Sequence, residues 1–325
     1  MPKVSIIVPV FNVENYIERC ARSLLGQSLQ DIEFIFVNDC SSDNSMTLLN
    51  QVIEEYPQRQ EQVKIINHHV NQGLNQARIT GLRASHGEYI AWCDSDDYVA
   101  NNMYKDMYEF CEAKNYDFVI CDNYIKTITS TEYFSATDIP LNKKSLLREL
   151  LTGRTPGHLW NTITKREIAT DSRILFPCTS IIEDLCAVVQ YTIYAERIGF
   201  LKKALYYYCR RSDSVISIND SKCKALHIIS EAEKNHQIIN EVLKKNNLTN
   251  KYSQELTAGE YAFKNISLPY IDHISDCSFW VNSYKKINWK IFTNKYISIG
   301  SKLRSLSLLL RIYPLIKKIT GRKII

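Results

Sequence analysis

Neither glycine signature of phosphate binding follows the first apolar run of this 325-residue chain: GxxxxGK(S/T) and GxGxxG are both absent there. A nucleotide held by the protein is therefore not cradled by a glycine-rich loop. The ten cysteines form no CxxC pair and no Cys/His spacing of a zinc site, and no leader with a basic start, apolar middle and cleavage signal precedes them. They read as reduced cytosolic thiols, most of them in the core. Internal repeats and low-complexity tracts are missing too. With 45% hydrophobic residues, that excludes a fibrous or disordered chain and implies a soluble globular protein with one substantial core and an appendage. Acidic residues fail in one region only: from Cys277 onward there are eleven Lys or Arg and no Asp or Glu, which leaves the first 276 residues net acidic. Any basic partner surface is thus local to the C-terminal region.

What is present alternates strand and helix signals. VSIIVPV (4–10) is an apolar run of strand length, followed by Ile17, Cys20, Ala21, Leu24 and Leu25 at helical spacing before Gly26. The pattern repeats as IEFIFV (32–37), a helix capped by Ser42 or Asp43 and running through Glu55, VKII (63–66), a helix over 74–84, and YIAWC (89–93). Continuously apolar strands are buried on both faces, and right-handed crossovers put all their C-terminal ends on one edge, where open α/β sheets bind ligands. Asn12, Asp39, Asn71 and the carboxylates of 94–97 converge on that edge. Further on, the spacing predicts helices over 103–114, 182–195 and 222–246, strands over 117–124 and 204–210, and a loop-rich middle with Pro140 and Pro156.

The stretch WCDSDDYV (92–99) crowds Asp94, Asp96 and Asp97 behind the fourth strand. Carboxylates so close repel each other, and a hard divalent cation bound through oxygen offsets the cost. A solvated turn rich in Asp and Ser is the plain alternative. An EF-hand does not fit, because its Gly and Glu positions hold Val99 and Lys105.

PVFNVENYI, VNDCSSDNS, NQGLNQAR and CDSDDYV, in that order and at these separations, resemble the family 2 glycosyltransferases of GT-A fold. A later ED pair (183–184) and an RxxS element (211–214) extend the resemblance to about residue 216. It implies a Rossmann-like mixed sheet flanked by helices over 1–216, with a nucleotide half to about 100 and an acceptor half beyond, and a helical region over 217–325. It also implies a UDP-sugar lying across the strand ends. On this likeness Pro9, Val10, Phe11, Asn12 and Glu14 line the nucleotide, the main chain near Val10 reads the base, and Asp39 accepts the uracil N3–H. Arg78 faces the diphosphate, Gly73 permits close backbone approach, and Ile79 stands where the family usually has Asn.

By the same likeness Asp94 and Ser95 meet the ribose or sugar, Asp96 holds Mn²⁺ or Mg²⁺, and Asp97 supports the turn. Asp184 resembles the general base, with Glu183 beside it; a purely dipole-complementing role for an acidic pair in a helix's first turn is the alternative. Arg211 and Ser214 match a loop that closes on the phosphates, although Cys209 replaces the usual Arg or His two positions earlier. Trp160 matches an aromatic near the acceptor sugar, or is a core tryptophan. Attack opposite the departing UDP inverts configuration, so an α-linked donor yields a β-glycoside.

The expectation is a metal-dependent transferase of hexose or N-acetylhexosamine to a lipid-linked or oligosaccharide acceptor in lipopolysaccharide core, O-antigen or capsule synthesis. The rivals are an inactive sugar-nucleotide binder and a metal-dependent phosphatase or nucleotidyltransferase; the latter's DxDx motif belongs after a first strand, not a fourth. Residues 301–325 mix Leu and Ile with Lys and Arg, and Arg311 and Pro314 interrupt them well short of the ~20 residues that span a bilayer. Residues 285–325 are expected to rest on an anionic membrane surface at the cytoplasmic face, each basic residue contributing about 1 kcal/mol. A solvated helix packed on the catalytic domain is the alternative. Nucleic acid is not an expected partner, since the sequence carries none of its binding modules.

Overall fold

The structure, a computed structural model, describes residues 1–136, 142–210 and 221–320. In chain order, β1 (Val4–Val10), α1 (Ile17–Leu25), β2 (Ile32–Asn38), α2 (Ser45–Glu54), β3 (Val63–Asn67), α3 (Leu74–Arg83) and β4 (Tyr89–Trp92) alternate as the apolar runs require. Next come β5 (Tyr98–Val99), α4 (Met103–Lys114), β6 (Phe118–Lys126), β7 (Thr131–Phe134), α5 (Lys143–Thr152), β8 (Thr162–Lys165), α6 (Arg166–Ala169), α7 (Glu183–Tyr194) and β9 (Ile198–Cys209). The remainder is helical: α8 (Lys222–Lys245), α9 (Thr249–Lys264), α10 (Cys277–Asn282), α11 (Lys290–Thr293), α12 (Ile299–Leu309) and α13 (Tyr313–Thr320). The chain divides into two compact units. Met1–Leu147, Gly157–Phe176 and Ala187–Ser214 form the sheet unit; Arg148–Pro156, Pro177–Cys186 and Val215–Ile325 form the helical unit.

In the sheet unit the strands lie in the order β3-β2-β1-β4-β8-β6-β9-β5, with β7 on β6. The first four are parallel, Val4 pairing with Ile32 on one side and Tyr89 on the other. All seven residues of β1 are buried, as a strand covered on both faces must be. Helix α3 lies close on β1 because residue 81 is glycine: a Cβ there would come within 2.3 Å of Ile7 Cγ2. That approach fixes Arg78, one turn earlier. Beyond β4 the sheet reverses, since β8 is antiparallel to both β4 and β6. The expectation of a loop-rich middle fails here, because β8 (TITK) has no apolar run; buried Thr162 and Thr164 build the strand through β-branching. Helix α5 was equally hidden, although Leu146, Leu147, Leu150 and Leu151 are each buried.

The helical unit has its own core, with Ile229, Tyr261, Trp280, Tyr284, Leu308 and Tyr313 buried together. Helix α8 opens on Ser221, whose Oγ accepts the Lys224 N–H at 3.2 Å. Its centre buries His236, whose Nδ1 lies 2.8 Å from Tyr284 Oη, and burial pushes this imidazole down to about 4. Lys264, fully buried, donates to the carbonyls of Trp280 and Ser283 and sits 4.1 Å over the Trp280 ring. Burial lowers its ammonium to about 7.

Candidate active site

At the C-terminal ends of β1 and β2 two loops hold each other. Pro9 and Val10 are buried in β1, and the Val10 carbonyl accepts the Asp39 N–H at 2.9 Å. Asn12, left-handed at φ 50°, accepts the Ser42 N–H through Oδ1 at 2.9 Å. Glu14 accepts the backbone and side-chain N–H groups of Asn44 at 3.0 Å, and its own N–H goes to Asp43 at 3.0 Å. Partial burial raises the Asp43 carboxyl, but hydrogen bonds from Ser45 and Glu14 outweigh it and hold the group below its ordinary range. The side chains of Asn12 and Glu14 thus shape the rim, while Phe11, 46% exposed, stands clear of it.

Asp39 is 3% exposed. Its Oδ1 accepts the Gln72 N–H at 2.8 Å and lies 2.7 Å from His68 Nδ1; Oδ2 accepts the Gly73 N–H at 2.8 Å. His68 Nε2 in turn lies 2.9 Å from Thr80 Oγ1. The carboxylate ties the end of β2 to the loop before α3, leaving about one of its four acceptor positions for a ligand. At Gly73 the demand is conformational: φ is 86° and a built Cβ meets nothing within 4 Å.

The turn after β4 is locked from three directions. The Asp97 N–H closes it on the Asp94 carbonyl at 3.1 Å. Asp97, 1% exposed, accepts from Tyr206 Oη at 2.8 Å and from the Cys209 N–H at 2.7 Å, and Tyr206 Oη also accepts the Asp94 N–H at 3.1 Å. Arg19, on α1, donates to the Asp96 carbonyl at 2.9 Å and lies 4.7 Å over the Tyr98 ring. Arg78 Nη2 reaches Asp94 Oδ1 at 3.2 Å. Burial, then the charges of Asp96 and Asp94, push the Asp97 carboxyl well above its ordinary value despite its two donors. The three carboxylates therefore differ. Asp97 is consumed inside the fold, Asp94 is paired with Arg78, and Asp96 is half-buried on a turn whose backbone is held by Arg19 and by the Asp97–Asp94 bond. Ser95 is buried at 6%.

Trp160 lies in the core at 3% exposure, stacked on Tyr206 and His158 at 4.4 Å each. The acceptor contact expected of it is not what the structure displays: the ring backs the tyrosine that holds the turn. Cys209, in the place of the usual Arg or His, gives its N–H to Asp97, and burial pushes its thiol up to about 11.

Glu183 and Asp184 open α7 on the helical unit's segment Pro177–Cys186. Immediately before them Ile182 is left-handed, φ 55°. For a β-branched residue this conformation costs ~1–3 kcal/mol, a strain that persists only where neighbours enforce it and that clusters at functional sites. The enforcing neighbour is Asn235 of α8, fully buried. Its Nδ2 donates to the Thr179 and Ile181 carbonyls at 3.0 and 2.8 Å, and its Oδ1 accepts the Cys178 N–H at 3.1 Å. Arg211 and Ser214 lie outside the described residues. Sequence reasoning passed over Arg19, Tyr206, His68 and Asn235, each of which acts through a partner at least 29 positions away.

Residues 5–182 match the sequence profile described as glycosyl transferase family 2. The chain belongs to that family. It is 34% identical over 225 residues to the uncharacterized glycosyltransferase EpsJ of Bacillus subtilis, a match covering 67% of this chain and 64% of EpsJ; the chain thus spans somewhat less than two thirds of that relative. With the cholesterol galactosyltransferase of Borreliella burgdorferi it shares 27% identity over 94% of this chain and 84% of the relative. Its fold is that of S. aureus TarS residues 1–349, solved with UDP-GlcNAc: TM-score 0.60 at 20% identity, over 98% of this chain and 92% of that TarS fragment. The mixed sheet with flanking helices is the GT-A architecture of these glycosyltransferases.

For a family 2 member the donor set decides whether a cation fits. Among the described residues no group of three or more His, Cys, Asp or Glu side chains forms a cage. Asp96, with Asp94 two positions away, suits a hard cation that takes one or two carboxylates and draws its other oxygens from a diphosphate and water.

Proposed function

We propose that the chain is an inverting glycosyltransferase that moves a hexose or N-acetylhexosamine from a UDP-sugar to a hydroxyl of a growing surface glycan, such as lipopolysaccharide core, O-antigen or capsule. The observation that carries this reading is the locked turn of 94–97 at the sheet's ligand edge, which presents Asp96 beside an Arg78–Asp94 pair. Exposed Phe11 offers an apolar face to a base, and Asp39 keeps one acceptor for an N–H. Arg78 holds phosphate oxygens, and Asp94, oriented by Arg78, accepts from ribose or sugar hydroxyls. Bound at Asp96, Mn²⁺ or Mg²⁺ supplies Lewis-acid stabilisation of the departing diphosphate, worth several kcal/mol.

Asp184 takes the proton of the attacking acceptor hydroxyl, a role worth roughly 10²–10⁴-fold, and Glu183 positions it. The attack displaces UDP with inversion, so an α-linked donor gives a β-glycoside. TarS, solved with UDP-GlcNAc, supports a UDP donor. The Borreliella relative, named for cholesterol, supports an acceptor hydroxyl carried on a lipid. Asp184→Asn is expected to bind UDP as the wild type does, by calorimetry, while transfer falls at least a hundredfold. Full transfer activity in that variant removes the assignment of the base.

A further inference from the structure

Helix α12 is built inside out. Its packed face carries serines: Ser305 is fully buried, its Oγ 3.1 Å from Tyr261 Oη, and the Tyr261 hydroxyl donates to the Ser301 carbonyl at 3.1 Å. Leu308 alone on that face enters the core fully. The opposite face carries Ile299, Leu303 and Leu306, with Leu310 just past the helix end, exposed by 77, 63, 40 and 60%. Positions i, i+4, i+7 and i+11 fall within about 60° of one another at the helical repeat, so they form one stripe. Four large aliphatic side chains in a row are not scattered surface hydrophobics; a contiguous exposed patch of this kind marks an interaction surface.

The stripe continues in sequence. Ile312, Leu315 and Ile319, around and on α13, are exposed by 41, 49 and 85%, and Trp289 by 74%. Between these apolar positions stand Lys302, Arg311 and Lys318, and none of residues 277–325 is acidic. Lys317 pairs with Asp272 at 2.7 Å, and Glu233 and Glu255 are engaged by the Tyr284 N–H and the Tyr296 hydroxyl, so among the described residues none of these carboxylates pairs with Lys302, Arg311 or Lys318. No described helix is long and apolar enough to cross a membrane. A second copy of the chain would bring a like-charged strip against this one, whereas anionic lipid neutralises it. Exposed tryptophan, aliphatic stripe and uncompensated basic residues together are the chemistry of a helix lying in a membrane interface.

We propose that the outward face of α12 and α13, with Trp289, docks on an anionic membrane surface, Ile299, Leu303, Leu306 and Leu310 entering the acyl boundary and the basic residues meeting headgroups. This surface stands apart from the transfer reading, and the test keeps the two separable. The full chain is mixed with vesicles of phosphatidylcholine alone or of three parts phosphatidylcholine to one part phosphatidylglycerol, then floated at low and at high salt. Binding is expected only with phosphatidylglycerol, and weaker at high salt. Lys302→Gln/Arg311→Gln/Lys318→Gln should weaken it roughly a hundredfold, about fivefold per charge. Leu303→Ser/Leu306→Ser/Leu310→Ser should abolish it, with UDP release from nucleotide sugar unchanged in both variants. Failure of the full chain to float with anionic vesicles overturns the proposal, as does unaltered flotation of both variants. A concentration-dependent dimer that the leucine variant dissolves, with no lipid binding, gives the face to a second copy instead.

Discussion

The sheet unit gathers negative charge at a strand end and spends other residues on holding it there; the helical unit seals a neutral imidazole and a lysine in its core and leaves leucines in solvent. Asp94, Asp96 and Asp97 sit where three like charges repel, and Tyr206, Cys209 and Arg19 tie the turn down. His236 and Lys264 sit where a charge is costly, and their protonation equilibria shift down to about 4 and about 7. A fold tolerates such placements only where neighbours over-determine them. In the sheet unit the tolerated feature is aimed at a ligand edge, and in the helical unit it is internal. The difference separates charge kept for chemistry from charge suppressed for packing.

The comparison is broken most severely at Asp96. Asp96→Ala should cut transfer by about 10³-fold, the equivalent of roughly 4 kcal/mol of leaving-group stabilisation, with UDP release assays as the readout and the unfolding midpoint unchanged. His236 tests the helical side. Its folded value, about 4, lies below the ordinary 6.5, so its contribution to stability is complete above pH 6.5 and is lost as pH falls toward 4. Urea unfolding should lose up to roughly 3 kcal/mol across that window, and His236→Gln should flatten the slope.

Tyr206→Phe removes a hydroxyl that serves both Asp97 and the Asp94 N–H while keeping the stack on Trp160. It should cost ~1–3 kcal/mol of stability and raise the Mn²⁺ concentration needed for half-maximal activity; an unchanged metal requirement would mean the turn does not depend on it. Asn235→Ala has the smallest expected effect on the reaction: kcat lower by about tenfold, with KM for the donor held, as for a residue that positions the loop before Asp184 rather than touching substrate.

The sequence made half of this legible. Strands β1 to β4 announced themselves as short apolar runs, broken by charge only at Glu33 in β2 and Lys64 in β3, and α4 as a periodic segment, because both are local patterns. Strand β8 did not, since threonines fill two of its three buried positions, and its antiparallel insertion beside β4 depends on partners far along the chain, as in the pairing of Ala91 with Ile163. The carboxylate cluster was visible as charge, but its division of labour was not: burial of Asp97 depends on Tyr206, far along the chain. Ile182 carries no signal at all, because nothing in its identity suggests a left-handed backbone. Trp160 left two readings open, an aromatic near the acceptor sugar or a core tryptophan, and only its burial at 3% favours the second.

The central claim is that the rim of the sheet unit activates a nucleotide sugar. The most direct measurement is UDP release by the full chain from UDP-glucose, UDP-galactose and their N-acetyl forms, with Mn²⁺ and with the metal chelated. The account predicts slow, metal-dependent release from one of these donors that Asp96→Ala abolishes. Inertness to every donor, or release that ignores both chelation and the loss of Asp96, contradicts it.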